Sequence, residues 1–184
     1  MNKSDIRIAI RARKALLDDN ERRDAARRVF ATLRHMAAFM VARKVLLYHS
    51  LADELSTREF LDELPEGKTY YLPRVNGPEL DILPYDRTRL HLGAFSIEEP
   101  DGNDTSDVAD MDLIVVPAVA FDRSGARVGR GKGYYDRLLC RARATKVGVG
   151  YGFQLVDTID TDEFDIPVDF IIADGHGIVR CSRR

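Results

Sequence analysis

The sequence predicts an α/β fold, a three-layer αβα sandwich around an open, mostly parallel, Rossmann-like sheet. Short continuous apolar runs, such as residues 112–117 and 169–174, read as strands covered on both faces. These runs alternate with segments of helical periodicity, the pattern of strand–helix–strand units. The chain has 184 residues, 45% hydrophobic and 32% charged, which suits one globular domain over residues 1–184. No repeat, low-complexity tract or linker divides it.

Ser4 is placed to cap a helix over residues 4–17, with Asp5 near its positive end and Ile6, Ile10 and Leu17 as its apolar stripe. A second helix is expected over 20–39, with Ala25, Val29, Leu33 and Met36 at helical spacing. The period then changes. Residues 44–50 form a continuous apolar strand, 57–64 a short helix capped by Thr57, and 69–74 a strand stopped by Pro73. Residues 80–85 read as an edge strand because of Pro84. Residues 86–110 are rich in Gly, Pro, Asp and Asn and read as loop. A central strand over 112–117, a helix over 134–144, and strands over 146–151, 169–174 and 178–180 complete the chain.

Charge is unevenly distributed about a net of −2: residues 1–43 carry +6, 44–110 carry −9 and 111–184 carry +1. The basic first segment lacks interleaved aromatics and has the pattern of amphipathic helices, so no nucleic-acid partner is expected. No apolar run nears the roughly 20 residues of a membrane-spanning helix, and no membrane partner is expected. The N-terminus has no apolar core of a secretory leader, and Cys140 and Cys181 suggest no disulfide framework, so a cytoplasmic location is the expectation. The scattered His35, His91 and His176 have no metal-ligand spacing that would suggest zinc.

The richest segment is 117–137. A buried strand leads into a loop carrying Gly125, Gly129, Gly131 and Gly133, interleaved with Arg127, Arg130 and Lys132, and a helix follows. Backbone N–H groups and cations together form an anion site, and Asp136 adds a carboxylate for a metal bridging phosphates. The spacing is neither that of a Walker loop nor that of a dinucleotide fingerprint. A nucleotide-phosphate site is the reading; the alternative is a tight strand–helix turn with incidental charges.

The string Phe-Asp-x-x-Gly-x-Arg-x-Gly-x-Gly-Lys-Gly-Tyr-Tyr-Asp-Arg, from Phe121 to Arg137, closely resembles the signature of 5-formyltetrahydrofolate cyclo-ligases. Weaker similarities follow in order: Lys3-x-x-x-Arg7, Tyr48-x-Ser50-x-x-x-Glu54-x-x-Thr57, Leu72-Pro-Arg74, Glu99-Pro100, Gln154 and Asp165-x-x-x-Asp169. The resemblance implies ATP- and Mg²⁺-dependent closure of 5-formyltetrahydrofolate to 5,10-methenyltetrahydrofolate through a phosphorylated formyl group. It implies small-molecule partners only, 5-formyltetrahydrofolate and ATP, and a monomer.

By the same resemblance, Gly129, Arg130, Gly131, Lys132, Gly133, Tyr134 and Tyr135 would cradle the triphosphate, with Lys132 on the transferred phosphate and Arg127 as a second cation. Lys3 and Arg7, one helical turn apart, would reach the nucleotide; by themselves they read as solvated helix charges. Asp136 and Asp165 would hold Mg²⁺, although Asp136 also reads as a partner of Arg137 and Asp165 as a loop cap. Glu54 would accept hydrogen bonds from the pterin edge, and His49 occupies the other substrate position. Tyr134 would lie near the substrate; Tyr134 and Tyr135 also read as helix packing. Tyr151 and Gln154 fall where a strand end would face the pocket. The sequence departs from the family pattern at Ala118, where many relatives have Gly, and in the Gly-rich strand end 148–152.

Overall fold

The computed structural model describes residues 2–93 and 98–182. In chain order its elements are α1 (Lys3–Lys14), α2 (Asp19–Arg34), α3 (Ala37–Val41), β1 (Lys44–Leu46), α4 (Arg58–Asp62), β2 (Thr69–Asn76), β3 (Glu79–Pro84), β4 (Leu90–Leu92) and β5 (Glu98–Pro100). There follow β6 (Leu113–Pro117), β7 (Ala120–Asp122), β8 (Arg127–Val128), α5 (Tyr134–Leu139), β9 (Thr145–Gly150), β10 (Leu155–Val156), β11 (Phe170–Ala173) and β12 (Gly177–Arg180). No helix among the described residues is long and apolar enough to cross a membrane.

The main sheet has the order β12-β11-β9-β6-β1-β2-β3. Its five inner strands are parallel, and the two edge strands, β3 and β12, are antiparallel. The expected α/β architecture with a mostly parallel sheet is therefore the one observed. Alternation along β6 shows why both faces are covered. Leu113 and Val115 pack with Val29, Leu33 and Phe39 of the α2–α3 side. Ile114 and Val116 pack on the other face with Phe121, Leu138 and Leu139. A small second sheet, β10-β7-β8, carries α1, whose Ile6 and Ile10 pack on Ala120, Ala126 and Val128.

Several element ends differ from expectation for identifiable reasons. Asn2 caps α1, its side chain accepting from the Ser4 and Asp5 amides, so Ser4 lies inside the helix. Asp18 and Glu21 form a reciprocal capping box that starts α2. The long second helix is divided: Met36 takes extended backbone, and this turn buries both Met36 and Phe39. Thr57 makes no cap bond because its hydroxyl accepts instead from the Ser50 amide. Pro73 does not end β2. It lies beyond Tyr71, the last residue paired to β1, so its missing N–H breaks no ladder bond there.

The expected loop over 86–110 contains the β4–β5 hairpin and a 3₁₀ turn at Val108–Asp110; its residues 94–97 lie outside the described residues. α5 ends five residues earlier than expected, at Leu139.

The glycines at 148–152 have a packing reason. All three lack left-handed backbone, but a Cβ on Gly148 would stand 2.5 Å from the Phe121 ring, on Gly150 2.8 Å from Gln154 Oε1, and on Gly152 2.5 Å from the Asp174 carbonyl. Phe121 is 1% exposed and cannot yield. Gly148→Ala should therefore destabilise by about 1–3 kcal/mol, the usual cost of overpacking a core. Urea unfolding checks this: the midpoint should fall with little change in slope.

Candidate active site

The Gly-rich segment begins as a hairpin and is fixed by a buried carboxylate. Asp122 is fully buried, and its side chain accepts from the Ser124 amide at 2.8 Å, the Ala126 amide at 3.2 Å and the Ile159 amide at 2.9 Å. Gly125 has φ +91°, and a Cβ there would sit 2.3 Å from the Val168 carbonyl. This first glycine of the string thus builds the turn and leaves Gly129, Gly131 and Gly133 in the stretch expected to face an anion. Gly131 and Gly133 have φ +98° and +69°, and Gly133 leads directly into α5.

Two of the expected cations meet the two expected metal carboxylates. Buried Arg127 donates to the Ile166 carbonyl at 3.2 Å and forms an ion pair with Asp136. Lys3 pairs with Asp165 and, at 2.8 Å, with Asp162. Burial alone would raise the Asp165 pKa, but the Lys3 ammonium and the Asp162 amide outweigh it and hold the carboxyl below its ordinary range. Burial likewise opposes the charge on Lys3, yet Asp162 and Asp165 raise its pKa. Arg7 donates to the Gly129 carbonyl at 2.9 Å. Asp136 and Asp165 line one cavity of about 610 Å³ together with Gly133, Arg137, Asp162, Glu163 and Phe164.

These carboxylates fit a hard divalent cation in their chemistry. Both are oxygen donors on the wall of one cavity, beside the glycine loop. Among the described residues no third acidic, His or Cys side chain completes a cluster. Such an ion would be held by two carboxylates with phosphate oxygens and water, as Mg²⁺ prefers.

Glu54 lies on the other side of the Gly-rich loop, in a turn after β1. Tyr48 donates to the Leu55 carbonyl at 2.6 Å, and Ser50 and Thr57 exchange amide–hydroxyl hydrogen bonds at 3.1 Å. The Glu54 carboxylate accepts from the Leu51 amide at 3.0 Å and from Arg130 Nε at 3.3 Å; Arg130 also pairs with Asp53. The loop expected to bind phosphate and the acid expected to bind pterin are thereby in contact.

The remaining candidates are placed as follows. Exposed Lys132 lies between Gly131 and Gly133, its carbonyl accepting from Arg137 at 2.9 Å. The Tyr134 hydroxyl donates to the Gly77 carbonyl at 3.3 Å, at the β2–β3 turn. Burial, with the Glu54 charge adding to it, pushes the Tyr135 hydroxyl far above its ordinary range. His49 Nε2 meets Glu98 at 3.1 Å; burial lowers the His49 pKa, and its Nδ1 has no partner among the described residues. Gln154 is a clamp: it accepts from the Tyr151 amide and donates to the Ala118 and Val119 carbonyls at 2.9 Å. The Tyr151 hydroxyl donates to the Glu54 carbonyl at 3.3 Å.

Sequence reasoning missed Asp53 and Asp162. The only sequence signals for them were their places one residue before Glu54 and three before Asp165.

Comparisons with known proteins agree over most of the chain. Residues 1–174 match the family model described as the 5-formyltetrahydrofolate cyclo-ligase family. The chain is 28% identical to the Escherichia coli K12 5-formyltetrahydrofolate cyclo-ligase, covering 89% of this chain and 95% of that protein. It is 34% identical to the Mycolicibacterium smegmatis protein of the same name, over 74% and 76% of the two chains. The solved structure of Aquifex aeolicus 5,10-methenyltetrahydrofolate synthetase superposes with a TM-score of 0.89 at 36% identity, over 99% of this chain and 94% of that one.

The Lys3–Asp165 pair predicts a specific acid response. A depressed carboxyl contributes stability above its unfolded pKa of about 3.9, and this is lost as pH falls through the lower folded value. Lys3→Met should raise the Asp165 pKa, and the variant should lose less stability than the parent between about pH 4 and pH 2. Carboxyl-detected NMR titration and acid unfolding of both proteins check the two statements.

Proposed function

The chain belongs to the 5-formyltetrahydrofolate cyclo-ligase family, and on that premise we propose that it closes the N5-formyl group of 5-formyltetrahydrofolate onto N10. The product is 5,10-methenyltetrahydrofolate, with ATP converted to ADP and phosphate. The observation that carries this reading is the contact of Arg130 with Glu54, which joins the glycine loop to the acid suited to a pterin edge.

The chemistry explains why a phosphate loop belongs beside a folate site. A formamide oxygen is a poor leaving group. In the proposed sequence it attacks the γ-phosphorus of ATP and ADP departs. N10 then attacks the activated carbon and loses its proton, and the carbon–oxygen bond breaks to release phosphate carrying the former formyl oxygen. Such transfer depends on positioning and charge neutralisation, with no protein nucleophile needed. Lys132 and the amides of residues 129–135 neutralise the moving phosphoryl group, while Lys3 and Arg7 bind from α1. Arg127, buried against Asp136, acts through that carboxylate. Asp136 and Asp165 would hold Mg²⁺, which supplies further neutralisation of phosphate charge when bound. Glu54 orients the pterin, with Tyr134 and His49 as further substrate-side residues. One domain acting as a monomer is sufficient for this scheme.

Purified protein mixed with ATP, Mg²⁺ and 5-formyltetrahydrofolate should develop the near-ultraviolet absorbance of the methenyl product only when ATP is present. Lys132→Ala should cut the rate by about 100-fold or more, the scale of losing one preorganised charge-stabilising donor. Because Lys132 is exposed, its thermal midpoint should stay near that of the parent. Folate-independent ATP turnover with no absorbance change would assign the loop to another ligase reaction. Separately, Asp165→Asn should raise the Mg²⁺ concentration needed for half-maximal rate.

A further inference from the structure

α1 turns one stripe of side chains toward the rest of the molecule. Lys3, Arg7, Ile10 and Lys14 follow at helical spacings of four, three and four. Lys3 reaches Asp165, Arg7 reaches the Gly129 carbonyl, and Ile10 is buried against the small sheet. Lys14 lies about 16 Å further along the helix than Lys3, at 1.5 Å per residue. The charges acting on it belong to Asp53, Arg130, Glu54 and Arg22. It therefore stands where the glycine loop meets the Glu54 turn.

Lys14 is only 4% exposed, its stem buried, and its ammonium keeps a little solvent contact with no hydrogen-bond or ion-pair partner among the described residues, where the wholly buried unpartnered side-chain atom is His49 Nδ1. The nearby acids are already engaged, since Arg130 holds both Asp53 and Glu54. Arg22 adds a further cation, donating to the Lys14 and Leu17 carbonyls. Three cations thus face two carboxylates. Drawing an ammonium largely out of water without a partner is costly, and proteins normally match it with an anion. Burial lowers the Lys14 pKa, in keeping with that missing partner.

We propose that Lys14 contacts ligand directly, its ammonium binding a phosphoryl oxygen of the nucleotide at the end of the cleft beside Glu54. The inference rests on the cyclo-ligase reading and adds a third cation to the α1 row that begins with Lys3 and Arg7. A phosphoryl oxygen is favoured over a folate carboxylate because both other cations of the row face the glycine-loop side, and Arg130 of that loop acts on Lys14.

The test is calorimetric titration of Mg²⁺–ATP and, separately, of 5-formyltetrahydrofolate into the parent protein, Lys14→Met and Lys14→Arg. Methionine keeps the unbranched stem and removes the charge; Lys14→Gln carries the same comparison if Lys14→Met is insoluble. Lys14→Met should bind ATP at least tenfold more weakly and bind the folate within twofold of the parent, with a thermal midpoint equal or higher. Lys14→Arg should recover part of the ATP affinity. ATP affinity within twofold of the parent in Lys14→Met would overturn the proposal and leave Lys14 a packing residue whose stem covers apolar surface. Weakened folate binding with ATP binding intact would overturn it in favour of a carboxylate. A parent protein that binds no ATP would instead remove the functional reading on which the proposal rests.

Discussion

The geometry of the site depends on Asp122, a fully buried carboxylate that accepts hydrogen bonds from both sides of the site. On one side it holds the Ser124 and Ala126 amides and shapes the β7–β8 hairpin; on the other it holds the Ile159 amide. The chain beyond Ile159 carries Asp162, Asp165 and the Ile166 carbonyl, and the chain beyond the hairpin carries Arg127 and the glycine loop. The amide of Val168 bonds to the Gly125 carbonyl at 3.0 Å and closes the arrangement further along. Buried polar networks of this kind fix geometry because each unsatisfied member is expensive. Arg127 and Asp136 are thus set on one segment and Asp165 on another, and the two segments share one internal anchor.

Charge compensation is the second organising feature. Three cations of the glycine loop and α1 are held by nearby acids: Arg127 by Asp136, Lys3 by Asp162 and Asp165, and Arg130 by Asp53 and Glu54. The loop can therefore concentrate positive charge beside a cleft without mutual repulsion deforming it. The same pairs hold long side chains in place before any ligand arrives, which lowers the entropy lost on binding.

Much of this was legible in the sequence, and the limits have physical causes. Continuous apolar runs revealed the central strands because strands covered on both faces have no polar alternation, as the four wholly buried residues from Leu113 to Val116 illustrate. The strands β7, β8 and β10, two or three residues long, were not legible because such lengths carry no period. Pro73 misled because a proline ends a strand only where its N–H is needed, and the β1 ladder stops two residues earlier. The residues of the candidate site could be named from the Phe121–Arg137 string and the weaker similarities along the chain, but not their pairings. Arg130 with Glu54 spans 76 positions and Lys3 with Asp165 spans 162, separations that only the folded chain closes. The Gly-rich strand end at 148–152, a departure from the family pattern, is close packing against Phe121, Gln154 and the Asp174 carbonyl.

The contact between Arg130 and Glu54 has a thermodynamic side. One guanidinium cannot give its Nε hydrogen to Glu54 and to a phosphate oxygen at once. An anion that draws Arg130 away releases the carboxylate, and a hydrogen-bond donor that occupies the carboxylate releases Arg130. By linkage the effect is reciprocal and equal in both directions. In the proposed reaction the ion pair would work as a latch whose opening energy is shared by the two ligands, so that each one to arrive would make the other's binding more favourable.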